Sequence, residues 1–79
     1  MRTYTNPYSK KIYDIINPLV GDIMAAGILK SQTQKLGISE EQITAKHIPQ
    51  LAESIKQGLV LFTGTGIAEQ IAKKIAEIK

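Results

Sequence analysis

Residues 67–78 read I-A-E-Q-I-A-K-K-I-A-E-I and carry the clearest structural signal in the chain. Its isoleucines recur every three or four residues, the spacing that places side chains on one face of an α-helix. Glu69 and Lys73 stand four positions apart in the order that stabilises a helix. The stretch therefore predicts an amphipathic helix whose apolar face consists of Ile67, Ile71, Ile75 and Ile78.

Two earlier segments of the chain carry apolar residues at the same helical spacing. The first stripe consists of Ile12, Ile15, Ile16, Leu19, Val20 and Ile23. The second consists of Ile48, Leu51, Ala52, Ile55, Leu59 and Phe62. The apolar run at residues 59–62 has the length of a buried strand, but one strand alone has no partner, so we expect a buried helix end. The patterns together predict an all-α fold, a small compact bundle of three to five helices.

Pro18 lies inside the first stripe, where a proline removes one hydrogen bond and clashes with the preceding turn. Asn17 and Pro18 form the cap and first position of a new helix in one interpretation. In the other, one helix continues with a kink or a tight joint. The apolar phase passes through Pro18 without slipping, so we expect the first helix to be kinked or jointed near Pro18.

Several residues mark where helices begin and end. Asn6-Pro7 suits a helix start, because asparagine caps the first turn and proline loses no needed donor there. Gly37 is the usual left-handed terminator of a helix. Ser39 with Gln42 has the form of a capping box, Thr44 is an equally good cap for the next turn, and Pro49 fits a first turn.

The domain organisation expected from these signals is simple. Seventy-nine residues make one domain rather than two. We expect an N-terminal arm over residues 1–8 and a single helical domain over residues 9–79. The two Asn-Pro pairs are too little to indicate an internal repeat.

The composition excludes several classes of protein. No cysteine is present, which excludes a disulfide scaffold, a thiol nucleophile and cysteine-ligated zinc. A single histidine excludes a multi-histidine metal site within one chain, and we expect no metal or cofactor. Hydrophobic residues make up 43% of the chain, which favours a folded domain. Asp14 and Asp22 interrupt the most apolar stretch and argue against a signal peptide or membrane span, so we expect a cytoplasmic protein without a membrane partner.

Catalysis finds little support in the sequence. His47 is the one side chain whose ordinary pKa lies near neutrality, and general acid–base chemistry would need it. No nucleophile stands near it in the sequence, so we expect an exposed or capping histidine. The adjacent Glu40 and Glu41 point in different directions on a helix and are expected to favour its N-terminal dipole. The protein is therefore expected not to be an enzyme.

Nucleic-acid binding is the alternative function. The net charge is +3, and the excess of basic residues falls within residues 1–38, although arginine occurs once. The run Leu59–Phe62, then Gly64-Thr65-Gly66, then Ile71-Ala72-Lys73-Lys74 resembles in outline the helix–hairpin–helix DNA-binding motif. That resemblance implies phosphate contacts from the turn and the following helix. Thr65 and Gln70 depart from it, standing where the family has an apolar and a small residue. The candidate nucleic-acid or anion contacts are Gly64, Thr65, Gly66, Lys73 and Lys74.

Protein binding is the function that the sequence favours. Met24 lies among small residues that permit close helix approach, and methionine suits adaptable interfaces. The isoleucine face of residues 67–78 must also be covered, either by the helix that begins near Pro49 or by a second copy of the chain. We expect a small non-catalytic protein–protein interaction or regulatory module, in homodimeric form. The candidate interface residues are Met24, Ile67, Ile71, Ile75 and Ile78.

Overall fold

The computed structural model describes residues 4–78 and has four α-helices. They are α1 (Pro7–Val20), α2 (Asp22–Lys35), α3 (Ile48–Thr63) and α4 (Thr65–Ala76). Two single turns of 3₁₀ helix, Glu40–Gln42 and Ala45–His47, lie in the link between α2 and α3, and the described residues contain no strand. The prediction of a small all-α bundle of three to five helices is confirmed.

The start of α1 follows from the local sequence as expected. The Asn6 side-chain oxygen accepts hydrogen bonds from the backbone N–H groups of Tyr8 at 2.8 Å and Ser9 at 3.2 Å. Pro7 occupies the beginning of the helix, where its missing N–H is not needed. The predicted helix start at Asn6-Pro7 is thus confirmed. Pro7 and Tyr8 belong to α1, and the predicted N-terminal arm over residues 1–8 is too long by these two residues.

The predicted joint lies at Gly21, three positions after Pro18. Pro18 stands in the last turn of α1, where it removes the hydrogen bond to the Asp14 carbonyl, and the helix nevertheless continues to Val20. Gly21 has φ +88°, a conformation that side chains disfavour, and its N–H bonds to the Asn17 carbonyl at 2.8 Å. This turn of the backbone also ends the apolar stripe, and Ile23 is 82% exposed. Residues 25, 26 and 29 form the buried face of α2 instead.

A second joint of the same geometry separates α3 from α4. Gly64 has φ +85° and ψ 162°, close to the values at Gly21, and its N–H bonds to the Val60 carbonyl at 3.0 Å. Helix α4 begins immediately afterwards, so Thr65 and Gly66 are helical. The expected Gly64-Thr65-Gly66 turn is thus a single-residue joint, and the last helix begins two residues before the expected Ile67.

The two joints reveal a structural repeat that the sequence analysis did not find. Each half of the bundle consists of two helices joined by one glycine of positive φ. Aligning Gly21 with Gly64 also aligns buried positions on both sides of the joint. These pairs are Ile12 with Ile55, Ile16 with Leu59, and Ala25 with Ala68. The repeat is one of backbone geometry and burial more than of residue identity, which is why sequence inspection missed it.

The middle of the predicted isoleucine face, at Ile71 and Ile75, is covered by the chain itself. Helix α3 folds back on α4, and this pair forms the most extensive helix–helix interface among the described residues. Ile71 and Ile75 are buried within the chain, and their predicted role in an interface stays a prediction. The radius of gyration is 11.1 Å, close to the value of about 11.6 Å for a compact chain of this length. One copy of the chain thus forms a closed core.

The last turn of α3 departs from the expected burial. Residues 59–62 are helical as predicted, and Leu59 is fully buried. Leu61 is 89% exposed and Phe62 is 61% exposed, so this helix end is not buried as a whole. Phe62, which the spacing assigns to the apolar face of this helix, therefore does not belong to the core.

Candidate interaction surface

The exposed large apolar side chains lie beside the two glycine joints. Three of them, Leu19, Ile23 and Met24, flank Gly21 and are called the Gly21 patch. The other three flank Gly64 and are called the Gly64 patch: Leu61, Phe62 and Ile67. Each joint turns the chain sharply between two helices, so the neighbouring side chains stand at a corner of the bundle and outside its core.

A groove between α1 and α4 adjoins the Gly21 patch. It has a volume of about 330 Å³ and is lined by Asp14, Ile15, Pro18, Leu19, Ile71 and Lys74. Leu19, from the Gly21 patch, forms part of the α1 wall. Ile67, from the Gly64 patch, lies one helical turn before Ile71 and on the same face of α4. The groove therefore lies between the helix that carries Leu19 and the helix that carries Ile67.

The predicted interface residues have unequal access to a partner. Met24 is 37% exposed and Ile67 is 44% exposed, so both are accessible. Ile78 is half-buried, and Ile71 contributes to the groove while being almost wholly buried. Sequence reasoning missed Leu19, Ile23, Leu61 and Phe62 as surface residues. The available signal was their position within three residues of a helix-ending glycine.

The predicted anion and nucleic-acid contacts lie at two ends of α4. Gly64, Thr65 and Gly66 are exposed at its start, and Lys73 and Lys74 are exposed near its end. Thr65 and Lys73 are separated by about 12 Å along the axis at 1.5 Å per residue. One phosphate group cannot contact both ends. The hairpin loop that the helix–hairpin–helix resemblance implies is also replaced by the single-residue joint.

His47 has a structural role at the entry to α3. Its Nδ1 atom accepts a hydrogen bond from the backbone N–H of Thr44 at 3.0 Å. The ring thereby closes the short turn Ala45–His47 in the manner of a capping residue. The expectation of a capping histidine is confirmed. Among residues 4–78, no group of three acidic or histidine side chains is placed to hold a metal ion.

Glu41 connects the segment before α1 to the link between α2 and α3, a contact that sequence reasoning did not anticipate. Its carboxylate oxygens accept hydrogen bonds from the backbone N–H groups of Thr5 and Asn6 at 3.2–3.3 Å, and the Thr5 hydroxyl donates to the same carboxylate. The Asn6 amide donates to the carbonyls of Glu41 at 3.1 Å and Ile43 at 2.9 Å. These contacts span more than thirty residues of sequence and position α1 against the link.

The hydrogen bond from the Thr5 hydroxyl lowers the pKa of Glu41, assisted by the backbone N–H groups of Asn6 and Thr5 and opposed by partial desolvation. The folded state therefore favours the carboxylate. Its contribution to stability is present above the unfolded-state pKa of about 4.3 and is lost as pH falls through the lower folded-state value.

Glu41→Gln is expected to lower the free energy of unfolding at pH 6 and to lose this effect below the folded-state pKa. Urea unfolding of the wild type and the variant between pH 3 and pH 6 measures the difference. Glu40→Gln removes an equal charge at the adjacent position and controls for charge alone. A constant difference between the wild type and Glu41→Gln across this range would contradict the assignment.

Comparison with known proteins identifies no relative of this chain. The chain matches no protein-family model, no curated protein sequence and no solved structure. None of the described helices is long and apolar enough to cross a lipid bilayer.

Proposed function

We propose that this protein is a non-catalytic helical module that acts by binding another protein chain. The observation that supports this proposal is the exposure of six large apolar side chains in two patches at the glycine joints. A small protein that folds alone exposes single apolar residues routinely, whereas apolar residues grouped at one site are typical of interaction surfaces.

The composition of the two patches fits a protein interface. Phe62 and Met24 are of the residue types enriched at the centres of such interfaces. Leu61 and Ile23 are more exposed than any other large apolar residues among those described, and covering them would remove apolar area from water. The groove between α1 and α4 adds a concave surface beside Leu19. Catalysis has less support, because the one histidine is engaged as a cap.

Nucleic-acid binding through Gly64–Gly66, Lys73 and Lys74 remains the alternative proposal. The separation of the two groups along α4 offers no converging phosphate site, which favours the protein-binding proposal. Retention on double-stranded DNA that weakens steeply with salt would favour the alternative, since phosphate contacts release counterions.

The double variant Leu61→Ser/Phe62→Ser tests the protein-binding proposal. Both side chains are largely exposed, so we expect the circular dichroism spectrum and melting temperature to stay close to those of the wild type. We expect the variant to lose the protein partner that the intact tagged wild-type chain retains in a pull-down. With that partner purified, its Kd should rise about tenfold or more for the variant.

A control variant substitutes exposed polar residues. The variant Gln57→Ser/Gln70→Ser changes one exposed side chain on α3, the helix that carries Leu61 and Phe62, and one on α4, and should retain the partner. Equal recovery of the same proteins by the wild type and by Leu61→Ser/Phe62→Ser would contradict a function of the Gly64 patch.

A further inference from the structure

The groove between α1 and α4 carries one charge of each sign above an apolar floor. Asp14 contributes the negative charge on the α1 wall, and Lys74 contributes the positive charge on the α4 wall. Both side chains are exposed, and neither forms an ion pair with another described residue. Ile15, Pro18 and Leu19 supply apolar surface between them. The groove thus offers two unpaired charges of opposite sign, one on each wall.

A surface of this kind is complementary to a copy of itself. In a two-fold symmetric interface, the same patch is used by both subunits, so residue i contacts residue j and residue j contacts residue i. An acid on one wall and a base on the other can then form two equivalent pairs across the symmetry axis. The charges lining the groove cancel, so it does not select an acidic partner even though the chain carries a net charge of +3.

We propose that the groove binds a second copy of this chain, with Asp14 of each subunit facing the partner subunit's Lys74. Leu19 and Pro18 then pack across the two-fold axis, and Ile67 is covered at the edge of the interface. This inference goes beyond the proposed function, because it assigns self-association to the groove, whereas the partner tested with Leu61→Ser/Phe62→Ser binds at the Gly64 patch.

The dimensions of the molecule are compatible with such a dimer. Standard stable interfaces bury about 800 Å² per partner, and the chain exposes 4800 Å² in total. A single face of a molecule measuring 29 × 26 × 21 Å supplies an area of this size. The groove alone is smaller than that face, so the interface extends along α1 and α4 towards the exposed Leu19 and Ile67.

Charge exchange across the interface tests the proposal on the full-length chain. Sedimentation equilibrium should give twice the chain mass for the wild type. Asp14→Lys and Lys74→Asp alone should each weaken the dimer about tenfold or more, because each places two pairs of like charges in contact. The double variant Asp14→Lys/Lys74→Asp should recover most of the affinity. A one-to-one mixture of the two single variants should form a heterodimer, since every pair is then opposite in sign.

Circular dichroism of each variant controls for folding, which surface substitutions of this kind should leave intact. A wild-type chain that stays monomeric at high concentration would overturn the groove proposal, and the pull-down would still decide the proposed function. A dimer insensitive to both charge reversals, with no heterodimer preference in the mixture, would also overturn it. If that dimer were lost in Leu61→Ser/Phe62→Ser, the interface would lie at the Gly64 patch, and the protein-binding function would stand.

Discussion

Leu59→Ala is expected to lower the free energy of unfolding by about 2–5 kcal/mol, the range for truncating a buried leucine. Leu59 on α3 is fully buried in the core, so the change removes apolar contacts and leaves a cavity. Leu61→Ala is the matched control. It removes the same atoms from a side chain that is 89% exposed, and we expect a change within about 0.5 kcal/mol.

Urea unfolding followed by circular dichroism measures both changes in free energy. The comparison is sharp because the two leucines are two residues apart in one apolar run. In a helix they point to different sides, whereas in a strand they would share one face. A comparable loss of stability in both variants would show that Leu61 is also buried and that the end of α3 is wrongly placed.

Gly64→Ala is expected to destabilise the protein by about 1–3 kcal/mol. The φ of +85° and ψ of 162° at this joint belong to a region that is essentially restricted to glycine. A Cβ at Gly64 would meet no other atom within 4 Å, so the expected loss comes from the backbone conformation and not from a clash. Thermal or urea unfolding measures it.

Gly66→Ala is the control for the Gly64 variant, and its effect has the opposite sign. Gly66 is the second residue of α4 and has open space around it, so alanine there should stabilise the helix by at most about 0.5–1 kcal/mol, the gain for a helix interior. Chemical synthesis adds a further comparison, because D-alanine at position 64 adopts positive φ readily and should restore stability. Equal tolerance of L-alanine at both positions would contradict the single-residue joint.

The helix boundaries could be predicted wherever a short-range rule determines them. Asn6 as a cap, Pro7 and Pro49 in first turns and the terminator Gly37 all follow from interactions within a few residues. The exact position of the joint between α1 and α2 could not be predicted, because Pro18 is the stronger sequence signal whereas Gly21 carries the actual turn. Pro18 removes the hydrogen bond to the Asp14 carbonyl, yet α1 continues for two more residues, and no local rule predicts that the turn comes at Gly21 instead.

The candidate surface was less predictable than the helices. An apolar stripe tells which residues share a face, but not whether that face meets the same chain or another one. Ile71 and Ile75 are covered because other helices of the same chain pack against α4, a fact of tertiary packing. Ile67 on the same stripe stays exposed because it lies beside the corner. The contacts of Glu41 with Thr5 and Asn6 join distant parts of the chain, and no local pattern signals them.

The single-glycine joints have a consequence for the thermodynamics of association. Only the two backbone dihedral angles of Gly64 separate the end of α3 from the start of α4, and hydrogen bonds hold the helices on both sides of it. The main chain beneath Leu61, Phe62 and Ile67 is therefore fixed before any partner arrives. A partner that docks on this corner orders side chains but no loop. The entropic cost of binding is correspondingly small, and a modest apolar area suffices for useful affinity.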